Sequence, residues 1–140
     1  MTRTILLASA LFGLATTSAA QSTGDLTLIF EVGARTGQVM VALFPSQAAY
    51  DADKGGQLRA VTVGEGAVGM TFKGLAPGRY AVKSFHDVNG DGKMALNLMG
   101  MPTEPYGFSN NAVVRYGPPA WDAAAFDVAP GAVAQTITLR

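Results

Sequence analysis

From Gly24 to Gly33 apolar side chains fall on every second position: Leu26, Leu28, Phe30 and Val32 share one face, and Thr27 and Glu31 take the other. A period of two is the mark of an extended strand with one face on a core. The pattern returns at Gln38–Phe44 through Val39, Val41 and Leu43, and at Arg79–His86 through Tyr80, Val82, Ser84 and His86. Leu58–Val63, Val68–Lys73, Ala125–Val128 and Val133–Leu139 read as further short strands, with a short one at Ala112–Tyr116. Between them lie turn signals: Gly33–Gly37, Gly64-Glu65-Gly66, Ala76-Pro77-Gly78 and Pro130-Gly131. Proline presets φ in such turns and glycine supplies positive φ. Ser46 is placed to cap one or two helical turns before Gly55-Gly56.

About seven short strands and no long helix predict an all-β fold, an antiparallel β-sandwich of immunoglobulin-like plan with one long ordered loop. A small closed barrel has the same strand pattern and stays open as an alternative.

The first twenty residues read differently. Arg3 gives a basic start, Ile5–Leu14 is apolar but for Ser9 and Gly13, and Ser18-Ala19-Ala20 offers small residues for cleavage. This is the layout of a secretory signal, and the run is shorter than the roughly 20 residues a membrane span needs. The expectation is a signal peptide over 1–20, one domain over 21–140, no membrane insertion after cleavage, and a periplasmic or secreted protein. Composition narrows the function. Ten cationic and ten anionic residues cancel, which removes the basic excess of a nucleic-acid binder. The absence of cysteine and the single histidine exclude disulfides, thiol nucleophiles and multi-histidine metal sites.

Function is expected between His86 and Trp121. The piece Asp87–Asn111 is 25 residues long and carries Met94, Leu96, Leu98, Met99, Met101, Tyr106 and Phe108. A loop of that length within a compact domain is usually functional, and its apolar content argues for order. Asp87, Asn89 and Asp91 stand at positions one, three and five of a calcium-type loop, Gly92 at six, and the Lys93 carbonyl at seven. Ala95 and Leu98 at positions nine and twelve depart from that pattern, so Glu104 or Asn97 would have to complete the shell. The other reading of the same residues is a series of Asx turns with no cation.

His86 is either an inward, hydrogen-bonded core residue or a base working with Asp87 or Glu104 in a small hydrolase. Ser109 lacks the G-x-S-x-G setting of a nucleophile, so its hydroxyl and the amides of Asn110 and Asn111 are expected to fasten the loop. Trp121 closes the stiff Gly117-Pro118-Pro119 turn. It is expected as an anchor, or with Tyr106 and Phe108 as a surface for a sugar ring.

The run Phe72-Lys73-Gly74-Leu75-Ala76-Pro77-Gly78-Arg79-Tyr80-Ala81-Val82 resembles the strand-turn-strand of transthyretin-like and carboxypeptidase-regulatory-like sandwiches. His86–Lys93, Gly100–Asn111 and Gly117-Pro118-Pro119 together resemble a bacterial family of small secreted proteins catalogued as domain of unknown function 2141. The similarity runs from about Gly24 to Leu139, and Ala95 departs from an Asp in the family pattern. The resemblance implies a free-standing exported sandwich and brings no reaction or ligand. The expectation is a non-catalytic module that binds a protein or glycan of the cell envelope, with calcium in the Asp-rich loop; the hydrolase is the alternative.

Overall fold

The computed structural model describes residues 20–140. The signal-peptide expectation over 1–20 therefore lies outside the described residues apart from Ala20.

Among the described residues, eight strands run in the order β1 (Gly24–Glu31), β2 (Gln38–Phe44), β3 (Gln57–Thr62), β4 (Val68–Leu75), β5 (Gly78–Asp87), β6 (Tyr106–Phe108), β7 (Phe126–Val128) and β8 (Gly131–Thr138). Helix α1 (Gln47–Ala52) follows β2, a 3-10 turn (Ser109–Asn111) follows β6, and helix α2 (Trp121–Ala124) precedes β7. Ser46 caps α1 as expected, its hydroxyl accepting the Ala49 N–H at 3.3 Å.

The first sheet has the order β4-β1-β8, the second β3-β2-β5-β6, and β7 pairs with the start of β5. The expected all-β sandwich is present. Its expected antiparallel character needs one correction, because β1 and β8 pair in parallel from Gly24 opposite Gly131 to Glu31 opposite Thr138. A parallel neighbour cannot come from a hairpin. Here nearly the whole domain forms the crossover, and side-chain periodicity carries no sign of strand direction.

The alternating residues face one another across the two sheets. Leu26, Leu28, Phe72 and Ile137 of the first sheet meet Val39, Leu43 and Val82 of the second, all fully buried. Each such side chain contributes about 1.5–3 kcal/mol. A second, smaller core covers part of the outer face of the second sheet: Phe44, Tyr50, Ala81, Phe108 and Trp121. Tyr50 sits edge-on to both Phe44 and Trp121, with ring centroids 5.7 Å apart in each pair. Its hydroxyl donates to the Pro119 carbonyl at 2.9 Å.

The strand expected at Ala112–Tyr116 is absent, and these residues form an irregular crossing. Their apolar alternation is used for packing: Ala112 and Val114 rest on the second core, while Val113 and Tyr116 point outward. The ladder positions beside β6 and β8 are taken. Tyr106 exchanges two main-chain hydrogen bonds with Arg140, and Asn111 fills the edge of β8, donating to Thr136 O at 3.1 Å and accepting Thr138 N–H at 2.8 Å. Gly107 permits this closure, since a Cβ there would stand 2.7 Å from Thr138 O.

Candidate functional site

β5 ends in two fully buried polar residues, His86 and Asp87. They alternate in direction, and each is held by main chain. The His86 Nε2–H donates to Thr36 O at 2.7 Å, and Nδ1 is buried without a partner. The hydrolase alternative needed an accessible imidazole beside a carboxylate, and His86 has no exposed surface.

Asp87 organises the loop that follows. Oδ1 accepts the N–H groups of Gly90 (2.8 Å) and Asp91 (3.1 Å); Oδ2 accepts Gly92 N–H (2.8 Å) and Gln38 Nε2–H (3.1 Å). Burial alone would push its pKa up. The hydrogen bonds from Gln38, Gly92, Gly90 and Asp91 outweigh that and hold the carboxyl below its ordinary value. Asn89 Oδ1 accepts Asp91 N–H at 3.2 Å, and Asp91 Oδ1 accepts Lys93 N–H at 2.8 Å. Glu104 returns from the far end: Oε1 accepts Val88 N–H at 2.9 Å and Oε2 accepts Ala95 N–H at 3.1 Å.

The expected cation ligands Asp87, Asn89, Asp91 and Glu104 thus meet in one loop with N–H donors on their oxygens, the geometry of consecutive Asx turns. Among the described residues, no group of three or more His, Cys, Asp or Glu is placed to hold a metal ion. Lys93 takes part through its N–H, and its side chain is exposed.

Past this turn the chain makes a small hairpin. Thr103 N–H bonds Ala95 O and Asn97 N–H bonds Met101 O, both at 2.9 Å. Asn97 Oδ1 accepts Met99 and Met101 N–H. The expected long ordered segment is therefore ordered, pinned by carboxylate and amide side chains at both ends.

The Gly107–Asn111 motif is also structural. Ser109 is fully buried; its Oγ accepts Val82 N–H at 2.9 Å and donates to Ala124 O at 2.5 Å. Asn110 donates to Ala123 O and Ala125 O. These are the fastening roles expected for them. Phe108 and Trp121 are buried in the second core, so of the expected aromatic trio only Tyr106 is partly exposed.

What the pinned segment builds is a groove. Met94, Leu96, Met101 and Pro102 of the hairpin give it a wall, Met40, Phe85 and Tyr106 of the second sheet its floor, and Leu58 and Arg115–Pro118 complete the lining. It is open, with a volume of about 1050 Å³, just above the roughly 300–1,000 Å³ of small-molecule sites. Sequence reading missed it. The signal was in β2, where Val39-Met40-Val41-Ala42-Leu43-Phe44 is apolar on both faces. A strand of that kind is covered on both sides.

Fold and site define a two-sheet sandwich carrying an open apolar groove on the outside of its second sheet. The chain belongs to the family described as an uncharacterized protein conserved in bacteria (DUF2141), whose model matches residues 29–136. No curated protein and no solved structure matches it.

Proposed function

We propose that this chain is a non-catalytic binding module of the bacterial cell envelope, exported to the periplasm or beyond, whose working surface is the apolar groove. The observation that carries the reading is the groove's lining. Leu96 and Met101 are more than half exposed and Leu58 more than three-quarters, yet all three face one concavity. Clustered exposed apolar side chains mark interaction sites, whereas scattered ones need no explanation. Methionine suits such a wall because its unbranched thioether adapts to varied ligands. The stapled loop keeps the wall standing when the groove is empty, which lowers the ordering cost of binding. Export rests on the basic, apolar and small-residue order of residues 1–20.

The test uses an uncharged apolar dye, Nile red. Its emission is expected to rise and shift to the blue with the native protein and to stay near the free-dye value with Leu96→Asp and Met101→Asp. Both positions are exposed, so folding is checked by an unchanged melting temperature. Equal dye response in all three proteins would refute the groove as the binding surface.

A further inference from the structure

The groove is apolar along its floor and cationic at one end. Four charged residues line it: Asp53, Lys54, Lys83 and Arg115. Lys83 is committed, its Nζ lying 3.0 Å from Asp53 Oδ1 and 2.8 Å from Tyr50 O, over the Tyr50 ring at 4.4 Å. Lys54 and Arg115 are exposed, and among the described residues neither has a carboxylate within ion-pair distance. The fold brings them to the same end. Lys54 N–H bonds Ala49 O beside Tyr50, and Val114, next to Arg115, packs on the second core that contains Tyr50. The apolar wall of Leu96 and Met101 belongs to the hairpin past β5, a different part of the lining.

From this juxtaposition we propose that the groove takes a fatty acid, its carboxylate at the end that carries Lys54 and Arg115 and its acyl chain along Met40, Phe85 and the hairpin wall. The inference rests on the groove being the binding surface and adds the ligand class. A neutral apolar ligand would gain nothing from the two cations. A cationic amphiphile would meet repulsion there. The arginine fork adds paired hydrogen bonds to a carboxylate, and lysine adds a second charge.

Laurate, dodecanol and dodecyltrimethylammonium, all below their aggregation concentrations, are titrated into the purified protein by displacement of Nile red. Laurate is expected to bind about ten-fold more tightly than dodecanol, a gap equivalent to about 1.4 kcal/mol. The ammonium compound is expected to bind more weakly than the alcohol. High salt should narrow the gap, since exposed charges are screened. Lys54→Gln and Arg115→Gln should each remove several-fold of the laurate preference and leave dodecanol unchanged. Equal affinity for laurate and dodecanol would overturn the head-group assignment while leaving the groove reading intact. Failure of Nile red and of every amphiphile to bind would overturn both. A dimer in sedimentation that laurate does not dissociate, with the groove closed to dye, would assign the surface to a second copy instead.

Discussion

Glu104 holds Val88 from sixteen residues away, its Oε1 accepting the Val88 N–H at 2.9 Å while its other oxygen takes Ala95 N–H. One buried carboxylate thereby joins the start of the Asp-rich turn, the start of the hairpin and the segment leading into β6. Removing it in Glu104→Ala leaves two main-chain donors without partners, at about 1–3 kcal/mol. Glu104→Gln keeps one good acceptor and should lose less. Chemical denaturation gives the ranking, and amide exchange should quicken at Val88 and Ala95.

Acid should loosen the same loop through Asp87. Its folded pKa lies below the ordinary 3.8 because four N–H donors outweigh burial. A depressed carboxylate pKa contributes stability that is present in full above the unfolded value and lost as pH falls through the folded one. Unfolding followed from pH 6 downward should show that loss beginning near pH 4, by the usual titration range of Asp. In Asp87→Asn that component should be missing. Identical acid profiles for the two proteins would contradict the assignment.

Ser109 and Asn111 test the closure of the sandwich. Ser109→Ala strips partners from Val82 N–H and Ala124 O, both buried, and should cost roughly 2–4 kcal/mol. Asn111 sits at φ 48 and imitates a strand along β8. Asn111→Gly keeps the backbone and loses the imitation. Asn111→Ala also meets strain at positive φ and should be less stable than the glycine variant by about 0.5–1 kcal/mol.

At the alkaline end, Tyr50 should titrate well above an ordinary phenol. Burial pushes its pKa up to about 12, with Asp51 and Asp53 adding to the shift. The unfolded phenol ionises near pH 10, so stability should fall as pH rises between those values. Tyr50→Phe removes that slope and costs about 1–2 kcal/mol, because Pro119 O loses its donor.

Calcium asks whether an ion adds to the stapling. Every carboxylate oxygen of Asp87 and Glu104 already accepts an N–H. Millimolar calcium against EGTA is therefore expected to change stability by less than about 0.5 kcal/mol. A rise of several degrees in melting temperature would show that a cation displaces the amides.

Much of the fold is legible in the sequence. Period-two alternation located seven of the eight strands to within about two residues at each end, and Ser46 marked the helix start. The inward parity of His86 with Tyr80 and Val82 was legible for the same reason, since side chains on a strand must alternate. Tyr106–Phe108 was missed because three residues hold too little periodicity, and its strand character comes from β5 and Arg140. The opposite error at Ala112–Tyr116 came from alternation that serves packing without a ladder. At the loop, Asp, Asn and Gly spacing suits both a cation shell and Asx turns. The hydrogen bonds show the Asx turns, whose N–H directions composition does not encode. The groove was overlooked because an apolar outer face on β2 gains meaning only once the hairpin wall stands beside it.

The most direct test is to follow methionine methyl groups by NMR as laurate is added. The side chains of Met40, Met94 and Met101 line the groove, whereas Met70 packs on the inner core and Met99 is exposed outside it. The account predicts saturating shifts at the first three and unchanged signals from Met70 and Met99. Shifts at Met70, or none at Met40, Met94 and Met101 at saturation, would contradict it.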